Sequence, residues 1–239
     1  MPERAMLTLT GLSLALLFGG FAVAAENEGI GIIVVDVQGD FTRFKNGSLA
    51  VEGTDEAYIK KVDQSTQKLK NAGFPLFATQ DWHPPRHTSF YTNHKGRNPF
   101  DVIRLGAKEQ VLWPPHCVQG SRGADILLDE RLFQAIVKKG TDPRYDSYSG
   151  FQDDGGKKTN LDRILKQYKI KKVVVYGIAT DYCVRATALD AAALRYKVVL
   201  IKGLCRGVAP DTSKKAIAEM KAKGISILTD LDMKKLKAG

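Results

Sequence analysis

Three side chains in this sequence have the types and settings of a nucleophile with proton-handling partners. Cys183 follows a β-branched run that ends at Gly177 and a tight Ile178-Ala179-Thr180 turn, and it opens a stretch with helical apolar spacing. At a helix N-terminus the unpaired amides and the positive end of the macrodipole favour the thiolate, the nucleophilic form of cysteine. Such a nucleophile needs a group that takes its proton and later delivers one to the leaving group. Asp36, at the end of the apolar run from Ile30, suits that task, because desolvation raises a carboxyl pKa toward a useful range. Lys139 supplies the counter-charge that orients Asp36 beside a thiolate. A second set lies in DWHPPRH and WPPHC, where Asp81, His83, His87 and His116 offer one carboxylate and up to three imidazoles. That donor set suits a divalent cation of the zinc or iron type, with positions left open for water or substrate. All four histidines fall between residues 83 and 116, and His94 is the one without a ligand role.

The elements that must position these groups follow from the apolar pattern. Ile30–Val37 is a continuous apolar run of strand length, as expected for a strand buried on both faces of a parallel sheet. A helix follows from Thr54-Asp55-Glu56, with Tyr58, Val62 and Leu69 on one face and Gly73 beyond its end. Phe74–Ala78 and Phe133–Val137 read as short strands around a long aperiodic segment, Thr79 to Gly123, whose Trp, His, Pro and Gly content marks it as functional. A second loop, Thr141 to Lys158, carries Tyr145, Tyr148 and Phe151. Thr159 or Asn160 then caps a helix through Leu161, Ile164, Leu165 and Tyr168. Beyond it come a strand at Lys172–Tyr176, the Cys183 helix to about Tyr196, and a strand at Val198–Ile201. Asp211 caps a last helix through Met220, and Ile225–Leu228 ends the sheet. Strands alternating with helices imply right-handed crossovers and a three-layer α/β/α fold with a mainly parallel central sheet. Ligands of such sheets bind beyond the carboxyl ends of the strands. Asp36, Asp81, Lys139 and Cys183 all fall there.

Composition bounds the rest. The 239 residues suit one large domain after a leader. Arg4 precedes an uncharged run, Ala5 to Ala25, that ends in small residues, the pattern of a secretory signal peptide cleaved after Ala24 or Ala25, with an N-terminal anchor as the rival. Residues 26–239 would then form one exported, periplasmic domain. Three cysteines, Cys117, Cys183 and Cys205, leave at least one thiol free and exclude a disulfide scaffold. Cys183 is expected to be recessed and unpaired. The net charge of +10 comes from scattered lysine pairs without an aromatic-rich RNA motif, so no nucleic acid is expected as partner. The basic tail Lys234-Lys235-Leu236-Lys237 is the place where an anionic surface would be felt most.

The segments VDVQGDF, QDWHPPRHTSF, LWPPHCVQG, the KKG of Lys139, DSYSGF and GIATDYCVRATALDA resemble, in that order, the nicotinamidase/pyrazinamidase branch of the isochorismatase-like hydrolases. The resemblance spans Ile30 to about Leu228. It implies a Rossmann-like fold of the isochorismatase type and a metal-dependent cysteine amidohydrolase that turns nicotinamide, and pyrazinamide, into acid and ammonia through a thioester. It implies Cys183 as nucleophile, Asp36 as general base and then acid, and Lys139, rather than Lys138, as the residue that holds Asp36. The amides of Ala179 and Cys183 become the oxyanion hole, and the Ile178–Ala179 peptide matches one held in cis. One divalent ion, zinc first with iron or manganese as alternatives, is implied on Asp81, His83 and His116, with His87 a further ligand or a group behind one. The ion binds the pyridine nitrogen, directly or through water, and sets substrate orientation. Phe41, Trp113 and Tyr148 match aromatic residues that line the pocket. The small-molecule substrate is the expected partner, without stable membrane association once the leader is removed, and a homo-oligomer is left open. An isochorismate, carbamoylsarcosine or ureidoacrylate hydrolase is the nearest alternative, but the DWH and PPHC signature argues against it. An exported pyridine-binding protein without chemistry is another, and the presence of Asp36, Lys139 and Cys183 argues against that.

Overall fold

The computed structural model describes residues 29–106 and 108–238. The expected leader at residues 1–25 lies outside the described residues. A six-stranded sheet forms the centre, in the order β5-β2-β1-β6-β7-β8, and all of its pairings are parallel. Its strands are β1 (Ile30–Val35), β2 (Leu76–Asp81), β5 (Ala135–Lys139), β6 (Lys172–Gly177), β7 (Lys197–Ile201) and β8 (Ser226–Leu228). Every residue of β1, β2 and β6 is buried, as the apolar runs of β1 and β6 require, and β2 carries the polar Thr79, Gln80 and Asp81 into the same interior. Each large aliphatic side chain there contributes about 1.5–3 kcal/mol by burial.

Helix α1 (Glu56–Asn71) starts at Asp55, whose carboxylate accepts from the Tyr58 amide at 2.9 Å. Its buried residues Tyr58, Ile59, Val62, Thr66 and Leu69 recur at helical spacing. Thr66 and Tyr176 of β6 share a buried hydroxyl pair at 2.9 Å, so the face is fixed by a polar contact as well as by packing. Helices α2 (Leu161–Gln167), α3 (Arg185–Ala193), α4 (Pro210–Ala222) and α5 (Met233–Lys237) follow.

Several expected boundaries move, each for a physical reason. β2 and β5 begin two residues later than the apolar runs indicate and extend through Asp81 and Lys139, because Asp81 and Lys139 are register partners whose charges compensate in the ladder. The aperiodic segment contains a hairpin, β3 (Val102–Leu105) with β4 (Lys108–Val111). Most of the hairpin is exposed or half-buried, so burial imposes no clean alternation on its sequence. Asn160 makes no side-chain cap; Thr159 instead accepts from the Leu161 amide at 3.2 Å. α3 ends at Ala193, short of Tyr196. Asp211 lies inside the first turn of α4, behind Pro210 at its first positions. The cap of α4 comes from afar: the Asp181 carboxylate accepts from the amides of Val208 (2.9 Å) and Ala209 (3.2 Å) and from the Thr212 hydroxyl.

The chain runs from β1 outward through β2 to β5, then returns to β6 and winds outward the other way through β7 to β8. The reversal falls between β1 and β6, which is where parallel sheets open a crevice for ligands. Gly177 ends β6 with φ +134°, and a Cβ there would sit 2.0 Å from the Val35 carbonyl oxygen of β1. Gly177→Ala is therefore expected to cost about 3 kcal/mol or more, from overpacking and backbone strain together. Its urea midpoint should fall well below that of the parent; an unchanged midpoint would contradict the close approach of β1 and β6.

Candidate active site and metal centre

Asp36 leaves β1 with a left-handed backbone (φ 47°), a conformation that aspartate adopts more readily than most residues. Its buried carboxylate accepts from the Thr79 hydroxyl at 2.6 Å and faces the Lys139 ammonium at 2.9 Å. Lys139, the last residue of β5, is buried too. It also contacts Asp81 at 2.5 Å, the Ser147 carbonyl at 2.7 Å and the Cys183 sulfur at 3.4 Å. Asp36, Asp81 and Cys183 each bring a donor atom into a group whose members lie within 4.8 Å of one another. Lys138, the neighbour weighed against Lys139, points elsewhere and lies over the Trp82 ring.

The charge states follow from burial. Loss of solvent pushes the Asp36 carboxyl up to about 6, with Lys139 and Thr79 opposing and Asp81 adding to the shift. Burial also pushes the Cys183 thiol well above its ordinary value; Lys139 pulls it down, and the two carboxylates push it up. This corrects the expectation of a helix-stabilised thiolate. Cys183 sits inside one wide π-type turn, Thr180–Val184, and α3 begins only at Arg185. The sulfur rests as a thiol next to a proton acceptor. The Ile178–Ala179 peptide is cis. The segment after β7 flanks it on both sides, since Arg206 donates its amide to Gly177 and accepts from that of Thr180.

Asp81, His83 and His116 form a second group, again with donors within 4.8 Å of one another and all buried. His83 Nδ1 is spent on the Gly140 carbonyl at 3.0 Å and His116 Nδ1 on the Pro114 carbonyl at 2.8 Å, so both rings turn Nε2 inward. His83 Nε2 lies 3.5 Å from Asp81, is fully buried and makes no hydrogen bond. Burial and the neighbouring His83 bring His116 down to about 4, which leaves it neutral at neutral pH with a free lone pair. Asp81 stays ionised: burial opposes the charge, but Lys139 and His83 hold its carboxyl well below the usual range. An anionic oxygen, inward imidazole nitrogens and an orphaned buried nitrogen fit a divalent metal ion. His87 stands behind this set. Its ring nitrogens are taken by the Ser89 hydroxyl at 2.8 Å and the Tyr145 carbonyl at 3.1 Å, so it buttresses the His83 ring 4.3 Å away and is not among the clustered donors. His94 bonds to the Thr88 carbonyl outside the cluster.

Both groups reach one small cavity, the first through Cys183 and the second through Asp81 and His116. Phe41, Trp113, Tyr148, Ala179 and Cys183 line it together with Asp81 and His116. Trp113 donates its indole N–H to the Tyr148 hydroxyl at 3.1 Å, which fixes both rings. Three participants were not singled out from sequence. Tyr182 packs edge-on against Trp113 and completes the aromatic wall. Asp146 is buried beside the histidines; burial works against its charge, but His83, His87 and a hydrogen bond from Gln110 keep it ionised. Gln38 clamps the end of β2, accepting from the Asp81 amide at 2.8 Å and donating to the Asp81 and Ala124 carbonyls. Gln38 and Asp146 each carried a signal, a polar residue inside a motif otherwise buried, while Tyr182 carried none beyond its place next to Cys183.

The isochorismatase-domain family model matches residues 31–232. The chain is 40% identical to the nicotinamidase of Escherichia coli (strain K12) over 206 residues, which covers 84% of this chain and 95% of that protein. Among solved structures it is similar to the yeast nicotinamidase bound to the inhibitor nicotinaldehyde, with a TM-score of 0.78 and 32% identity over 84% of this chain and 100% of the other. It is similar as well to the pyrazinamidase of Pyrococcus horikoshii in complex with zinc, with a TM-score of 0.70 and 38% identity over 84% and 98%.

Gly140 (φ +65°) gives a direct test of the metal group, because a Cβ there would sit 2.3 Å from the His83 ring. Gly140→Ala is expected to weaken divalent metal binding about 10- to 100-fold, as loss of a supporting contact does. Competition against a chromogenic chelator measures this; an unchanged affinity would remove His83 from the ligand set.

Proposed function

The chain belongs to the isochorismatase family, and from that premise we infer that it is a nicotinamidase, a cysteine amidohydrolase that converts nicotinamide to nicotinic acid and ammonia. The observation that carries this reading is the meeting of the Asp36–Lys139–Cys183 group and the Asp81–His83–His116 group on one aromatic-walled cavity. A carboxamide is attacked at the first group while the ring that bears it is gripped by the second.

Asp36 accepts the thiol proton as Cys183 Sγ bonds to the carboxamide carbon. The amides of Ala179 and Cys183 receive the oxyanion, each such donor contributing about 2.7–4 kcal/mol. Asp36 then returns the proton to the amide nitrogen, the C–N bond breaks and ammonia leaves a thioester. Water gives a proton to Asp36, adds to the thioester carbon, and the C–S bond breaks as Cys183 regains its proton. Lys139 keeps its charge throughout, since Asp36 and Asp81 hold its pKa well above the ordinary lysine value against the opposing effect of burial. Asp81, His83 and His116 would hold a divalent ion, zinc in this reading with iron or manganese as alternatives, which would supply a Lewis-acid contact for orienting the substrate ring. Phe41, Trp113, Tyr148 and Tyr182 hold the ring faces. Pyrazinamide keeps both the ring nitrogen and the carboxamide and is a second substrate. The leader is read as an export signal cleaved after Ala24 or Ala25, which puts the enzyme in the periplasm.

Steady-state hydrolysis of a small amide panel, with and without chelator, tests the assignment. Nicotinamide and pyrazinamide should be turned over, and stripping the metal should abolish turnover; benzamide cleaved equally well would overturn the ring-nitrogen reading. Cys183→Ala should lower kcat by about 10⁴-fold or more with metal content unchanged, and residual ammonia release at the parent rate would sink the nucleophile. The base form of Asp36 is required, and its pKa lies near 6. Activity should therefore be full above that pH, and kcat/KM should fall about tenfold per unit below it. A flat profile from pH 4.5 to 7.5 would rule Asp36 out as the base.

A further inference from the structure

Beyond the carboxyl end of β7 lies a second cavity, of about 610 Å³, which shares a wall with the catalytic one. Neighbouring residues divide between the two: Ala179 and Val208 line the catalytic cavity, Thr180 and Gly207 the second. Its size suits a small organic ligand. Lys202, Arg206 and Lys214 converge on it with the side chains of Thr180 and Ser213, and among the described residues no acid lines it. The carboxylates beside Gly207 and Gly203 are engaged, Asp181 with Val208, Ala209 and Thr212, and Asp230 with Lys61 at 3.1 Å. Lys214 stands near the start of α4, so like charges meet the positive end of a helix macrodipole. That arrangement opposes stability unless an anion joins it.

Two residues of this wall are set for a ligand by their own bonding. Arg206 donates from Nε to the Gly53 carbonyl at 3.0 Å and from Nη1 to the Cys205 carbonyl at 2.7 Å, and its guanidinium lies 4.6 Å from the centre of the Tyr58 ring. Dipoles and an aromatic face thus fix the group, and among the described residues no carboxylate pairs with it. Thr180 is 5% exposed; its amide donates to the Arg206 carbonyl, and its hydroxyl is left without a partner among the described residues. A buried hydroxyl normally has one.

We propose that this cavity binds a phosphate monoester of a small organic molecule and that its occupancy controls how tightly the catalytic cavity holds substrate. A phosphoryl dianion matches a guanidinium group, two ammonium groups and hydroxyl donors, and the remaining volume takes an organic body against Pro210 and Ile217. The coupling runs through Arg206. Its backbone clasps the catalytic turn at Gly177 and Thr180, and its side chain holds Gly53, just past Leu49 and Val51 of the catalytic cavity wall. A phosphate oxygen makes a stronger, charge-assisted bond to the guanidinium than the Gly53 carbonyl does. The guanidinium moves to the phosphate, the wall of Leu49 and Val51 loses its tie, and substrate affinity falls while Asp36, Lys139 and Cys183 keep their places.

Equilibrium dialysis of the full chain against radiolabelled ribose 5-phosphate tests the site, with a Kd of about 1 mM or tighter expected. Lys202→Ala/Lys214→Ala should weaken binding about tenfold, through loss of two charge-assisted contacts, while keeping parental turnover without the ester. Lys169→Ala/Lys171→Ala, away from the cavity, should bind like the parent. In the nicotinamide assay the ester should raise KM about fivefold, to a plateau, with kcat held. That second readout rests on the nicotinamidase reading and the dialysis does not, so the two can fail separately. No retained ester, or equal retention by both variants, would overturn the site. A KM that climbs without a plateau would put the ester in the catalytic cavity, and an unchanged KM would remove the coupling. Inorganic phosphate displacing the ester at equal affinity would reduce the site to one for a bare anion. Each of these three results overturns the proposal as well.

Discussion

One buried ammonium group holds this structure's chemistry together. Lys139 ends an outer strand of the sheet, yet its Nζ reaches carboxylates from β1 and β2, a carbonyl from the loop after β5 and the sulfur beyond β6. A lone buried lysine would lose its proton; two buried carboxylates without it would not both ionise. Each charge is tolerable only because the others are present. The strand ends must therefore stop at the same height, and the Asp81–Lys139 register pairing is the visible result. That polar extension of two strands is a fold-level cost accepted for a site.

The same buried charges decide how the nucleophile rests. A cysteine next to an ammonium group suggests a standing thiolate, but the sulfur is as dry as its neighbours and faces two negative carboxylates. The thiol form wins, and Asp36, raised toward 6, becomes the group that carries the reactive negative charge at neutral pH. For a thiol expected in an oxidising compartment this has a benefit, since oxidants attack thiolates far faster than thiols. All three cysteines are buried and free.

How much could be read in advance depends on which force fixes each feature. The parallel sheet was legible because strands buried on both faces leave unbroken apolar runs, and β1 and β6 do so. Asp36, Asp81, Lys139 and Cys183 were legible because reactive residues at strand ends are few and each stood just past such a run. The hairpin of β3 and β4 was not, since exposed strands such as Val102–Leu105 are under no pressure to alternate. Gln38, Asp146 and Tyr182 escaped for another reason: their places come from contacts with residues 36 to 69 positions away, so a polar residue in a buried motif marks Gln38 and Asp146 without saying what they touch. The macrodipole argument at Cys183 failed on geometry and electrostatics together, because the helix begins only at Arg185 and burial next to two carboxylates raises the thiol.

The Asp181 carboxylate sits two residues before the nucleophile and caps a helix that begins 29 positions later in the chain. The catalytic turn is thus finished by a segment that leaves the ribosome well after the turn itself. Until residues 208–212 have folded against it, Asp181 lacks the donors its carboxylate takes in the folded chain. A product interrupted between the two segments would contain every reactive side chain yet lack the partners that finish the turn.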